Sequence, residues 1–375
     1  MMKKILFYYP SNKRSVQIET TLLELKKRNY SIILLTSCES GDLHQFLENK
    51  GISTYTHVIS KNIFYYFKQI NYLIRFCKSK KIEVVFANLQ HSNFIASIAQ
   101  FFMSARVIAF RHHFKFNKGN FGIPLKVNKN EKLFDFVINR LARTIVVPSL
   151  GVYNGMAKFE KVNMDKVKLI PYAYNFDLYK QPKQQVVDAI KKKYNAHLRI
   201  IMIARLIPFK RHQLMLPLFK KLIHEGFDIQ VLIMDEGPEK GNLETFIATN
   251  NLTEHIHLLG FQRNILDFMA SADLLIHPSL TEASNNVVKE IGLLKKAVCV
   301  CRGVGDFDEL ISDGVNGFLM ATENPEIEAE NVIRKVYKQK ELVEVVGSNL
   351  RETILNKFNN NEEVMNQYDS LISNF

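Results

Sequence analysis

Short apolar runs alternate with stretches of helical period along most of the chain. Residues 3–9 and 31–36 have the length and β-branched or aromatic content of strands, and residues 16–28 between them repeat apolar positions every three or four residues. The same rhythm predicts strands at 83–87, 106–110, 144–147 and 167–170, with helices near 62–80, 92–103 and 131–141. Strands separated by helical crossovers imply parallel pairing, and repeated crossovers imply a doubly wound sheet.

A polar, Lys- and Gln-rich passage at 179–197 interrupts the pattern, which then restarts with strands at 198–204, 229–234, 256–258, 274–277 and 298–301. The expected fold class is α/β: two tandem doubly wound, Rossmann-like domains, 1–178 and 198–355, joined by a linker at 179–197. A helical tail at 356–375 is expected to pack back towards the first domain. Ligands of such sheets bind at the carboxyl ends of the strands, so an interdomain cleft is the expected site.

A chain of 375 residues is long enough for two such cores. No apolar run reaches the roughly 18 residues needed to span a bilayer. The apolar start ends at Pro10 without a small-residue cleavage site and reads as a first strand, not a secretion signal. Four cysteines, Cys38, Cys77, Cys299 and Cys301, offer neither a disulfide framework nor a zinc site, which fits a reducing cytoplasm.

Charge divides the chain unevenly. Residues 1–185 carry a net charge of +18 and the remainder −5. The basic half suits a polyanionic partner, such as an anionic membrane surface or a phosphorylated acceptor, although solubility alone also accounts for it. No nucleic-acid-binding module is visible, and nucleic acid is not expected as a partner. Residues 62–80 mix Phe64, Tyr65, Phe67, Tyr72 and Phe76 with Lys61, Lys68, Arg75 and Lys78, a mixture that either lies on a membrane or packs its apolar stripe on the sheet. The connection between Phe110 and Glu131 is long, basic and glycine-containing, and is expected to be a mobile substrate loop.

Candidate chemistry concentrates in the second half. Strand 200–204 runs into Arg205 and Lys210, two cations at a strand's carboxyl end, suited to a diphosphate whose leaving group gains negative charge. Pro278 to Glu290 reads as strand end, polar turn and helix start, where free backbone amides and the helix dipole favour an anion. Glu282 in the turn and Glu290 in the helix can each accept two hydroxyl hydrogen bonds.

Arg205 with Lys210, Gly260-Phe261-Gln262-Arg263-Asn264, Ala272-Asp273 with Pro278-Ser279, the Glu282/Glu290 pair, Gly303-Val304-Gly305 and Asp313 to Phe318 occur in an order that resembles the family-4 retaining glycosyltransferases of the GT-B fold. Weaker similarity at 80–85, Pro148-Ser149 and 169–175 extends the resemblance over nearly the whole chain.

The resemblance implies a donor-binding set of Arg205, Lys210, Arg263, Asn285, Asn286, Val287 and Glu290. Arg205 and Lys210 would hold the diphosphate of a nucleotide sugar, Glu290 the ribose, and the amides near Asn285 and Asn286 a phosphate. Glu282 would hold the transferred sugar, and His112 would contact it near the anomeric carbon, so these two form the implied catalytic pair. Lys13, Arg14, Arg111 and His113 are the acceptor-side candidates. No cofactor and no metal are expected, because the cations stand where other enzymes use a divalent ion.

The implied function is transfer of a hexose or N-acetylhexosamine, from a UDP- more than a GDP-sugar, to a glycan or lipid-linked acceptor in bacterial cell-surface polysaccharide synthesis. The implied place is the cytoplasm or the inner face of the membrane. The turn at Pro10-Ser11-Asn12-Lys13-Arg14-Ser15 lacks the family's glycines, and Asp235 and Asp306 stand where glycine-rich turns are common. The Asp departures leave the base and sugar preference open, and the altered first turn keeps open a non-catalytic donor-binding subunit; a nucleotide-sugar epimerase on the same fold is the other alternative.

Overall fold

A computed structural model describes residues 2–113, 129–160, 162–358 and 361–373. The chain folds into two compact units. In chain order the first contains β1 (Lys4–Tyr9), α1 (Val16–Lys27), β2 (Ser31–Thr36), α2 (Asp42–Asn49), β3 (Ser53–Thr56), α3 (Tyr65–Lys80), β4 (Val84–Asn88), α4 (Leu89–Ala99), β5 (Arg106–Phe110), α5 (Lys129–Leu141), β6 (Thr144–Val147), α6 (Leu150–Phe159) and β7 (Val167–Leu169). The second contains α7 (Gln184–Lys193), β8 (Leu198–Ile203), α8 (His212–His224), β9 (Ile229–Met234), α9 (Lys240–Thr249), β10 (Ile256–Gly260), α10 (Ile265–Ser271), β11 (Leu274–His277), α11 (Asn286–Leu293), β12 (Ala297–Cys301), α12 (Phe307–Leu310), β13 (Phe318–Met320), α13 (Pro325–Lys338) and α14 (Glu341–Phe358). The last helix, α15 (Asn361–Ser373), belongs to the first unit.

The first unit is a parallel seven-stranded sheet ordered β3-β2-β1-β4-β5-β6-β7. Alternate residues of a strand face opposite sides, and β1 shows what that does. Ile5 and Phe7 join a core with Leu22 and Leu25 of α1 and with Met365, Tyr368 and Leu371 of α15. Leu6 and Tyr8 join a second core with Leu73 and Phe76 of α3 and Ala96 of α4. Burial on both faces is why the central strands read as continuous apolar runs. Helix α15 is tied further by Arg28, whose guanidinium pairs with Asp369 and Glu362.

The second unit is a parallel six-stranded sheet ordered β10-β9-β8-β11-β12-β13. In each sheet the order reverses direction once, between β1 and β4 and between β8 and β11. At such a switch point adjacent crossover helices lie on opposite faces and leave a crevice beyond the carboxyl ends of the strands.

The passage at 179–197 is not a bare linker. It holds α7, which packs on α10 of the second unit through Val187 and Ile190, while the backbone N–H of Lys183 donates to the Asp267 carboxylate at 2.7 Å. Three consecutive lysines, of which Lys192 and Lys193 are exposed, dominate its composition, which hid the apolar pair. Helix α2 and the short edge strands β3 and β13 also lie outside the periodicity reading. The expected substrate loop falls on residues 114–128, which are outside the described residues.

Candidate functional site

The switch point of the second sheet gathers most of the residues singled out by sequence. Strand β8 ends at Ile203, and the chain continues through exposed Arg205 to a short turn of 3-10 helix at Pro208–Lys210. Strand β11 ends at His277 and turns through Ser279 and Glu282 into α11. Strands β8 and β11 are direct neighbours, so these two carboxyl ends lie side by side.

The Lys210 ammonium donates to the Glu282 carboxylate, and both side chains are largely buried. His277 Nε2 donates to the same Glu282 oxygen, Oε1, at 2.6 Å. Burial by itself would raise the Glu282 carboxyl, but the hydrogen bond and charge of His277, followed by those of Lys210, outweigh it and hold the group well below the usual carboxylate range. Among the described residues, Glu282 Oε2 has no hydrogen-bond partner.

Asn285 is the N-cap of α11. Its side-chain oxygen accepts from Val288 N at 3.0 Å, which turns its amide nitrogen to within 3.2 Å of His277 Nε2. Glu290, one turn further along α11, is half-buried, and its carboxyl has no hydrogen-bond or ion-pair partner among the described residues. Burial pushes that carboxyl up to about 7, with the Lys289 charge opposing. It is a half-buried acceptor without donors among the described residues, as expected of a group that a ligand hydroxyl completes. Asn286 and Val287 open the same helix, and Arg263 is exposed beyond the end of β10.

A buried network supports this turn. Lys289 is fully buried and donates to Asp306 Oδ2 at 2.7 Å and Ser284 Oγ at 2.8 Å. Ser284 in turn donates to Asp306 at 2.6 Å. Gly305 takes φ +60°, and a Cβ there would stand 3.0 Å from Glu282 Cβ, so glycine lets the turn after β12 close on the Glu282 turn. Asp306-Phe307-Asp308 has the Asp-x-Asp spacing, but Asp306 is committed to Lys289 and Ser284, and Asp308 accepts from Gly303 N. Among the described residues no three His, Cys, Asp or Glu side chains are grouped to hold a metal ion.

Sequence reasoning did not single out His277, Lys289 or His212, and it noted Asp306 only as a departure from a glycine-rich turn. The signal for His277 was a titratable residue closing an otherwise apolar strand, Leu274-Leu275-Ile276-His277. His212, the first residue of α8, is buried with Nδ1 unpartnered among the described residues; burial, then the charges of His277 and Lys210, push it down to about 3.

In the first unit, His112 follows β5 near the other switch point. Its Nε2 lies 3.3 Å from Asn88 Oδ1, and its Nδ1 bonds the Tyr172 hydroxyl. Asn88 donates its amide nitrogen to Phe86 O at 3.3 Å, which leaves Oδ1 to face the ring. His112 therefore carries its proton on Nε2 and accepts from Tyr172 at Nδ1. Burial, and then the neighbouring His113 and Arg111 charges, push it down to about 3, so the ring is neutral at ordinary pH. Leu89, next to Asn88, sits at φ +65°, a conformation that costs a non-glycine residue about 1–3 kcal/mol and concentrates at functional sites.

The acceptor-side candidates separate. Arg111 is not available there: it is buried and forms a strut to Glu160 at 2.9 Å and Asn139 at 2.8 Å, with Asp135 3.4 Å away. The fork of a guanidinium joins β5, α5 and α6 at once, and a cation so enclosed is not available to a ligand. Arg14 grips the buried Glu19 carboxylate through two bonds of 2.8 and 2.6 Å and lies over the Phe46 ring. Lys13 and His113 are exposed.

Residues 183–353 match the Glycosyl transferases group 1 family. Among curated relatives, the phosphatidylinositol N-acetylglucosaminyltransferase GPI3 subunit of Saccharomyces cerevisiae is 23% identical over 210 residues, covering 54% of this chain and 46% of that one. The chain thus spans about half the length of the yeast relatives it matches. A Campylobacter jejuni relative, N-acetylgalactosamine-N,N'-diacetylbacillosaminyl-diphospho-undecaprenol 4-alpha-N-acetylgalactosaminyltransferase, is 24% identical over 281 residues, 71% of this chain and 72% of that one. Among solved structures, Anabaena Alr3699/HepE in complex with UDP and glucose superposes with a TM-score of 0.81 at 17% identity over 100% of both chains. A Rickettsia africae glycosyltransferase does so with a TM-score of 0.76 at 20% identity, over 99% of this chain and 98% of that one. The chain has the two-unit GT-B fold, and residues 183–353, within its second unit, match the group 1 glycosyltransferase model.

Proposed function

We propose that the protein transfers a hexose or N-acetylhexosamine from a UDP-sugar, with retention of anomeric configuration and without a metal ion, to a glycan or lipid-linked acceptor. The observation that carries this reading is the second unit's switch point: Lys210, paired with Glu282, beside exposed Arg205, and an unpartnered Glu290 carboxyl one turn into α11. Arg205 and Lys210 stabilise the diphosphate as it departs, Glu290 accepts from the ribose hydroxyls, and Glu282 Oε2 accepts from the sugar. The bond from the anomeric carbon to the phosphate oxygen breaks and a bond to the acceptor oxygen forms on the same face; the acceptor proton passes to the departing diphosphate. His112, neutral and fixed in one tautomer, is the first unit's candidate for contact with the transferred sugar.

The relatives' names support an N-acetylhexosamine and a lipid-linked acceptor. An anionic membrane is the proposed docking surface of the first unit. The middle and end of α3 pack on the sheet through Leu73, Phe76 and Cys77, but its start leaves Ile63, Phe64 and Phe67 exposed beside Lys61 and Lys68. Among the described residues no helix is long and apolar enough to cross a membrane.

A thermal-shift screen of UDP- and GDP-sugars tests the donor, since a ligand of the native state raises its melting temperature by mass action. Stabilisation by a UDP-sugar in EDTA is expected. Product analysis then separates transfer from its alternatives: a free epimerised sugar without acceptor dependence would establish an epimerase, and tight binding without turnover a binding subunit.

A further inference from the structure

His277 is the least explained polar group of the second unit: nearly fully buried, the last residue of β11, with its ring edge-on to Phe307. It shares Glu282 Oε1 with Lys210. The two partners differ in what they can do next. Lys210 is on a loop after β8, at the end of a flexible four-carbon stem, and a diphosphate competes with Glu282 for its ammonium. His277 is walled in by the strand end, Phe307 and the Asn285 cap, and it cannot follow a ligand.

With Lys210 as its sole anchor, Glu282 would lose its orientation whenever the donor phosphate drew the ammonium away. We infer that His277 is a positioning residue for the sugar-binding carboxylate: it fixes Glu282 Oε1 independently of Lys210, so that Oε2 stays aimed at a sugar hydroxyl while Lys210 engages the diphosphate. The two functions of the site are thereby separable, with Lys210 serving the nucleotide diphosphate and His277 serving the sugar. Glu282 is held ionised by the same contacts, as a carboxylate acceptor requires. The inference rests on the reading of Glu282 as the sugar-facing group.

The test compares the affinities of UDP and UDP-N-acetylglucosamine, measured by titration calorimetry, for the unaltered chain and for Lys210→Ala, His277→Leu and His277→Gln, each checked for an unaltered melting profile. A hydrogen bond to a charged group corresponds to about a 10–100-fold effect. Lys210→Ala should weaken both ligands by about that factor. His277→Leu should leave UDP within about twofold and weaken UDP-N-acetylglucosamine by about tenfold, whereas His277→Gln, which keeps a donor, should restore most of the loss. Equal weakening of both ligands by His277→Leu, or no effect on either, would overturn the assignment. Absence of binding of either ligand to the unaltered chain would instead refute the functional reading on which it rests, and the inference would fall with it.

Discussion

Replacing Glu290 by Gln should make the ligand-free protein more stable and its nucleotide complex weaker. The carboxyl lies in α11 with no donor among the described residues, and burial moves it from an ordinary 4.5 to about 7. The sign follows from linkage. A carboxyl that titrates higher in the folded state than in the unfolded one favours folding while protonated, and that advantage is lost as pH rises from about 4.5 to about 7. Each tenfold change in proton affinity is about 1.4 kcal/mol, so the ionised group costs the fold up to ~3 kcal/mol above pH 7. Glu290 is only half-buried, and water access reduces this to about 1–2 kcal/mol.

An amide of the same shape does not ionise, so Glu290→Gln should match the parent near pH 5. Near pH 8 it should exceed the parent by ~2–8 °C in melting temperature, at about 2–4 °C per kcal/mol for a unit of this size. Saturating nucleotide should narrow or reverse the difference, because ribose hydroxyls supply the missing donors to the carboxylate and bind the amide less well by about 10–100-fold. Melting curves at both pH values, with and without UDP, decide the matter. A Glu290→Gln protein with the parent's pH dependence, or with unaltered UDP affinity, would refute both the burial argument and the ribose assignment.

Arg111→Ala should cost about 3–5 kcal/mol in urea unfolding, because it leaves Glu160 buried without its cation, whereas Lys13→Ala should stay within about 0.5 kcal/mol. Equal stability of the two variants would contradict the strut role of Arg111. Gly305→Ala forces a side chain into φ +60° and against Glu282, at about 1–2 kcal/mol, and should lower nucleotide-sugar affinity by about tenfold in calorimetry; unaltered affinity would show that the turn after β12 does not shape the Glu282 turn. Serine at Ile63, Phe64 and Phe67 together should reduce co-sedimentation with phosphatidylglycerol vesicles at least tenfold, with binding by the unaltered chain falling as salt rises. Equal binding by the triple variant would place the docking surface elsewhere.

The fold was legible because its central strands are buried on both faces and its helices on one, so apolar runs and helical periods alternate without ambiguity. Some of what was missed is only partly buried. Strand β3, Ser53–Thr56, is a polar edge strand, and α7 buries only Val187 and Ile190 beneath a lysine-rich face. The phosphate, ribose and sugar candidates could be nominated from sequence because Lys210, Glu290 and Glu282 lie on segments with a linear order. His277 was not, since its significance lies in sharing one oxygen of Glu282 with Lys210, which is distant in sequence. Arg111 shows the converse: in sequence it is one more cation in a basic half, and only the convergence of α5 and α6 on β5 encloses it.

The same contrast bears on charge. The half of the chain with the phosphate-site candidates is the one with a net charge of −5, so an argument from net charge alone would have placed an anionic donor in the other half. Local geometry supports the opposite proposal. The carboxyl ends of β8 and β11 bring together Arg205, Lys210 and the start of α11, the proposed donor site, while the acidic side chains nearby are engaged: Glu282 by Lys210 and His277, Asp306 by Lys289 and Ser284. In the proposed reading, a diphosphate entering this crevice competes for Lys210, whose counterion Glu282 has a second anchor. It can take Lys210 from Glu282 without stranding the carboxylate, because His277 remains. That substitution of one anion for another on a shared cation, with the displaced carboxylate still fixed, is how a site in an acidic unit can hold a polyanionic donor.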